Sequence, residues 1–264
     1  MTAAPLSSAP TPMPASRPKA ANVMAIASGK GGVGKTWFSI TLAHAFSRAG
    51  QGVLLFDGDL GLANLDIQLG LMPKHDLSAV IAGRMVLAQA ITRYTDGAFD
   101  VIAGRSGSGS LASLAASRVQ MLNDDIAGIA GSYDRVILDL GAGVERTVRQ
   151  LAHGAATCIV LATDEPTSLT DAYAFIKMTN AEMPGRDVRI VINMANSTKE
   201  GERTYGTLLK ACQGFLKIAP PLLGIIRRDA KVRETIRNQT SLLTRYPNSE
   251  AAVDVEAIAR RLLA

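Results

Sequence analysis

The chain is short of cysteine, of aromatic residues and of long apolar runs, and each shortage removes a class of protein. Only two cysteines occur in 264 residues, Cys158 and Cys212, far apart and with no ligand partners at metal spacing. They are expected to be buried core thiols in a reducing compartment rather than parts of a disulfide framework. No apolar run approaches the roughly 20 residues that a membrane-spanning helix needs, although 47% of the residues are hydrophobic. Aromatic residues make up 5%, as expected for an alanine-rich α/β protein. Charge is modest as well, with 28 Lys and Arg against 23 Asp and Glu, a net +5. That excess favours acidic partners, whether nucleic acid, anionic lipid or an acidic protein face, without choosing among them.

What is present is an alternation of strand and helix patterns. Residues 1–21 are rich in Ala, Pro, Ser and Thr and read as a disordered tail without the pattern of a secretory signal. From Asn22 to the end, residues 22–264, the chain reads as one domain. Buried strands are expected at 23–27, 52–56, 99–103, 136–140, 158–163, 188–193 and 222–226. Helices are expected at 37–49, then around 76–83, 111–130, 144–152, 168–181, 203–216, 229–238 and 250–263. The fold class is α/β, a mainly parallel twisted sheet with helices on both faces.

The chain is organised around Ser28-Gly29-Lys30-Gly31-Gly32-Val33-Gly34-Lys35-Thr36. A strand precedes it and a helix follows, the context of a phosphate-binding loop. Glycines let backbone N–H groups turn inward toward phosphate oxygens, and the helix N-terminus adds positive partial charge. Lys35 is set to reach the outer phosphates and the Thr36 hydroxyl to ligate Mg²⁺. The candidate cofactor-binding residues are Gly29, Lys30, Gly31, Gly32, Val33, Gly34, Lys35, Thr36, Trp37 and Asn193. The side chain of Trp37 is expected to pack against the sheet.

Two carboxylate motifs stand at later strand ends. Asp57-Gly58-Asp59 ends the second strand, beyond whose carboxyl edge ligands of open parallel sheets sit. Such a pair can hold a Mg²⁺ water and orient the attacking water. Asp139 ends an apolar strand as a Walker B candidate, followed by Gly141 and Gly143, which permit close approach and movement. The metal candidates are thus Thr36, Asp57 and Asp139. Asn193, at another strand end, has a side chain able to read a donor and an acceptor on adenine, though a turn-capping role is the alternative.

Residues 30–36, Lys-Gly-Gly-Val-Gly-Lys-Thr, resemble the deviant Walker A loop of the MinD/ParA family, which includes the nitrogenase iron protein and ArsA. The resemblance runs from about Asn22 to the C-terminus. It implies a P-loop fold, ATP and Mg²⁺ as cofactors, slow ATP hydrolysis and a homodimer formed on ATP binding. Lys30 would reach across the dimer to the partner's nucleotide. The catalytic candidates are then Lys30, Lys35 and Asp59, with Asp57 in the metal's surroundings. Residues 59–66 and 163–173 look like the FlhG/FleN branch, regulators of flagellar number and placement. That implies flagellar assembly or regulatory partners: an FlhF-type GTPase, a switch-complex protein or a transcription activator. The tail lacks the segment with which many FlhG proteins stimulate FlhF, and Arg227 and Trp37 stand where relatives commonly have proline and a small hydroxyl residue.

Three further expectations remain open. Val255, Ile258 and Leu262 form a stripe on the last helix, suited either to docking on the domain or to a membrane surface. The protein would then be cytoplasmic, with or without peripheral attachment to the membrane. Arg227, Arg228, Lys231, Arg233 and Arg237 would make a cationic face for nucleoid DNA in a ParA-type partition ATPase. An iron–sulfur carrier of the same superfamily would need paired or interface cysteines, which Cys158 and Cys212 do not resemble.

Overall fold

A computed structural model describes residues 20–59, 61–104 and 114–264. Eight strands form one sheet: β1 Ala20–Ser28, β2 Val53–Gly58, β3 Ile91–Tyr94, β4 Phe99–Ile102, β5 Arg135–Ala142, β6 Ala155–Ala162, β7 Asp187–Ala195 and β8 Leu222–Arg227. Their order is β3-β4-β2-β5-β1-β6-β7-β8, all parallel except β3, which runs antiparallel to β4. The helices are α1 Lys35–Arg48, α2 Leu65–Leu69, α3 Leu77–Ile81, α4 Ala116–Ala130, α5 Arg146–His153, α6 Pro166–Glu182, α7 Thr198–Ala211, α8 Ala230–Arg237, α9 Leu242–Arg245 and α10 Glu250–Leu263.

The period of two along each strand sorts side chains to two cores. On β1, Val23, Ala25 and Ala27 face the core under α4, α5, α6 and α7, while Met24 and Ile26 face the core under α1 and α10. Helix α1 lies between the sheet and α10, so every residue from Lys35 to Phe46 is buried. Phe38, Leu42 and Phe46, the expected apolar stripe, are fully buried there. Val255 and Ile258 of α10 are 0% and 1% exposed in the same core. The stripe on the last helix is therefore spent on the domain, and the docked alternative holds over the membrane one. Among the described residues no helix is long and apolar enough to cross a membrane.

All seven expected strands are present. Strand β3 and the short helices α2 and α9 were not expected; each has only four or five residues, too few to show a period. The helix expected at 203–216 begins earlier, at Thr198, because the Ser197 hydroxyl accepts the N–H of Glu200 as an N-cap. It ends at Ala211 and gives way to a π turn over Cys212–Leu216. The start of the helix expected at 111–130 lies outside the described residues, as does nearly all of the expected tail.

Candidate active site

The carboxyl ends of β1, β2 and β5 meet at one place because β5 lies between β1 and β2. The segment leaving β1 is the glycine-rich loop, and two of its glycines are required by contact or conformation. A Cβ on Gly29 would stand 2.1 Å from the backbone of Asp171 in α6, and Gly34 takes φ of 87° against the Asn193 amide. Loop and neighbours are tied together by hydrogen bonds. The Ser28 hydroxyl donates to the Lys30 carbonyl at 2.9 Å, and the Gly143 N–H donates to the Ser28 carbonyl at 2.9 Å. Asn193 Nδ2 donates to the Val33 carbonyl at 2.8 Å, while its Oδ1 accepts the Met194 N–H at 2.9 Å. The structure thus gives Asn193 a loop-bracing role and leaves one N–H and one lone pair of its amide for a ligand.

Lys35 and Asp139 are both buried, 8% and 1% exposed, with Nζ and Oδ1 at 3.5 Å. The Ser39 hydroxyl, one turn along α1, donates to the same Oδ1 at 2.9 Å. Ser39 was not among the sequence candidates; its spacing of four from Lys35 was the available sign. Asp57 pairs in register with Asp139 across β2 and β5. Burial, and next the Asp139 charge, push the Asp57 carboxyl up to about 7, although N–H groups of Leu65 and Asp59 donate to it. The other oxygen of Asp139, Oδ2, is buried with no hydrogen-bond partner. Two crowded carboxylates with an oxygen left over suit a divalent cation. Among the described residues no group of three His, Cys, Asp or Glu side chains surrounds such an ion. Mg²⁺ needs few protein ligands, because it keeps most of its shell as water and phosphate oxygens. Thr36, Asp57 and Asp139 are the residues that would hold it.

Asp59 lies beyond β2 and lines the same cleft. Its Oδ1 accepts the N–H groups of Gly61 and Leu62 at 3.3 and 2.9 Å, a local turn that aims the carboxyl group. Lys30 lines the cleft too. Its ammonium forms an ion pair with Glu165 and donates to Thr167 Oγ1 at 2.9 Å, both at the start of α6. The lysine holds the exposed Glu165 carboxyl below the usual carboxylate range. Both partners lie within residues 163–173, where no spacing ties them to the loop.

The cleft encloses about 530 Å³, within the range of small-molecule sites. The loop and Asp59 line it together with Asn193, Met194, Ile226 and Val232. The cationic face read from the sequence is reduced. Arg227 is held by Asp254 at 2.9 Å and Glu250 at 2.7 Å, and Lys231 by Glu234 at 3.2 Å, leaving Arg228, Arg233 and Arg237 exposed. Cys158 and Cys212 are both fully buried, and burial pushes each thiol up to about 11. They are core residues and lie apart from the cleft.

Residues 24–242 match the family model described as the CobQ/CobB/MinD/ParA nucleotide binding domain. The chain is similar to the antiactivator FleN of Pseudomonas aeruginosa, 35% identical over 91% of this chain and 85% of that one. It is also 30% identical to the flagellum site-determining protein YlxH of Helicobacter pylori, over 91% of this chain and 81% of that one. The fold is similar to that of the septum site-determining protein MinD of Pyrococcus horikoshii complexed with Mg-ADP. There the TM-score is 0.78 at 24% identity, over 92% of this chain and 96% of that one.

Proposed function

The chain belongs to the CobQ/CobB/MinD/ParA nucleotide-binding family, and we propose that it is an ATP-driven dimerisation switch regulating flagellar number or placement. The observation that carries the switch is the contrast between two loop lysines. Lys35 is buried on Asp139, whereas Lys30, in the wall of the same cleft, is part-exposed on Glu165 and Thr167. A part-exposed cation held only by exposed partners is placed to serve a second subunit.

The loop N–H groups and Lys35 bind the phosphates of ATP. Thr36, Asp57 and Asp139 are the residues that would hold Mg²⁺, which would supply positive charge against the phosphate oxygens. Asp59 orients the attacking water. Lys30 leaves Glu165 and stabilises the charge that develops on the partner's nucleotide, as an arginine finger does. Hydrolysis is slow, and loss of the γ-phosphate separates the pair. Residues 57–66 and 139–146 report the nucleotide state to a partner surface. The working unit is residues 22–264, since α10 at its end packs on α1 near its start.

The flagellar reading rests on the likeness to FleN and YlxH. The word antiactivator in the first of those names favours a transcription activator among the partners. A GTPase of the FlhF type and a switch-complex protein remain on the same list, and the reading implies a cytoplasmic protein. The test of the switch is Asp59→Ala in MgATP. A dimer of twice 27.8 kDa by light scattering is expected, and a persistent monomer would overturn it. Deleting the gene should give supernumerary or misplaced flagella; normal flagella would remove the flagellar reading and leave the ATPase switch.

A further inference from the structure

Residues 141–145 carry the chain from β5 into α5 and pass beside Asp59. A Cβ on Gly141 would stand 3.5 Å from Asp59 Oδ1 and 3.5 Å from Val148 of α5. Gly143 takes φ of 103°, and its N–H is tied to the Ser28 carbonyl of the phosphate loop. The carbonyl of the next residue, Val144, is tied as well: it accepts from Nη1 of Arg149, one turn into α5. Arg149 is buried, and a buried guanidinium is costly unless charge and hydrogen bonds answer it. Its Nε and Nη2 meet Oε1 of Glu182 at 3.0 and 2.8 Å. The arginine holds that carboxyl below the usual carboxylate range, and the other oxygen, Oε2, faces His153 at 3.1 Å.

Glu182 is the last residue of α6, and the first turns of that helix meet the phosphate loop. There Gly29 lies against the Asp171 backbone, and Lys30 pairs with Glu165 just ahead of the helix. One helix thus braces the loop at its start and, through Arg149, the segment after Asp139 at its end. A planar fork suits that task, because it serves a carboxylate and a carbonyl at once, which a lysine cannot do as well. We propose that Arg149 is a positioning residue for ATP hydrolysis: anchored on Glu182, it fixes the Val144 carbonyl and with it the backbone beside Asp59. The inference rests on the ATPase reading above and deepens it. Neither Arg149 nor Glu182 lines the cleft, so both act through the segment and not on the nucleotide. A displacement of about 1 Å near the reacting atoms can slow a reaction by up to about 100-fold while binding is kept.

The test compares the full chain with Arg149→Met, Glu182→Met and Glu182→Gln. Two quantities are read: kcat for MgATP, at protein concentrations where the rate per subunit no longer rises, and MgADP affinity by calorimetry. Arg149→Met and Glu182→Met should each lower kcat by about tenfold or more and leave MgADP affinity within about twofold. Glu182→Gln keeps an acceptor for the guanidinium and should retain kcat to within about threefold. The double variant should be no slower than the worse single one, because the two side chains act as a unit. Should Arg149→Met fail to fold, the two Glu182 variants decide alone. An unchanged kcat in Glu182→Met would overturn the inference. So would kcat and MgADP affinity falling together, which is what a loosened structure produces, or Glu182→Gln being as slow as Glu182→Met. A wild type that neither binds MgADP nor hydrolyses ATP would instead remove the nucleotide reading, and this inference with it.

Discussion

Two segments leave neighbouring positions at the carboxyl edge of the sheet, and they are held in different ways. The loop after β1 is tied to distant parts of the chain: to Gly143 after β5, to Asn193 at the end of β7 and, through the missing Cβ of Gly29, to α6. It runs into α1, which is buried on all sides. The segment after β2 anchors Ala63, Leu65 and Leu69 in the core, but its hydrogen bonds are mostly local. Asp59 collects N–H groups from Gly61 and Leu62, Asp57 collects one from Leu65, and Gln239 donates to the Ile67 carbonyl from α8's far side. It leaves Leu62, Ile67 and Met72 exposed at 76%, 56% and 95%. A ligand site needs a frame that does not yield and a neighbour that can. Long-range hydrogen bonds supply the first, and local turns that leave large side chains exposed supply the second.

The largest test of this contrast is made inside the frame. Lys35→Met keeps the aliphatic stem and removes the cation facing Asp139 and the phosphates. Nucleotide affinity should fall by about 100-fold or more, the worth of a charge-assisted hydrogen bond. Calorimetry with MgADP reads this directly, and a loss of under tenfold would mean that the loop alone does the holding.

Asp57 lies at the junction of frame and neighbour, and its effect should depend on pH. Its folded value, about 7, is above its ordinary 3.8, so the folded chain keeps a proton that the unfolded chain releases. Stability should therefore fall as pH rises between those values, with the full penalty present above 7. Asp57→Asn should stabilise the nucleotide-free protein at pH 8 by about 2–4 kcal/mol and change little at pH 4. Melting curves at the two pH values check it. The same variant should gain less stability from Mg²⁺ with nucleotide, because it has lost the charge that the cation would answer.

The frame was far more legible in the sequence than its neighbour. A phosphate loop announces itself because glycine, lysine and threonine must recur at fixed spacing, and Asp57 and Asp139 because each ends an apolar run. What escaped was short or tertiary. Strand β3 has four residues on an edge, although Asp96-Gly97 between it and β4 is a hairpin signal that points to it. The pairing of Lys30 with Glu165 joins residues 135 apart, and nothing local foretells it. Arg227 reads as a surface cation until Asp254, 27 residues later in α10, is seen to take it.

The smallest expected effect on stability comes from the exposed neighbour, and it is the one that most sharply divides the two segments. Leu62 lies at the cleft and is exposed, so Leu62→Ser removes almost no buried area and should alter stability by less than about 0.5 kcal/mol. In a dimer whose subunits face each other across their nucleotides, that side chain would become buried. Its loss should then weaken the dimer trapped by Asp59→Ala about tenfold or more, as expected for a leucine withdrawn from water on association. Sedimentation of the double variant in MgATP, beside a melting curve without nucleotide, separates the two terms. If Leu62→Ser melts as a core substitution does, the segment after β2 is as firmly held as the loop after β1, and the division between frame and reporter is wrong. If it neither melts nor weakens the dimer, the exposed residues serve a different partner.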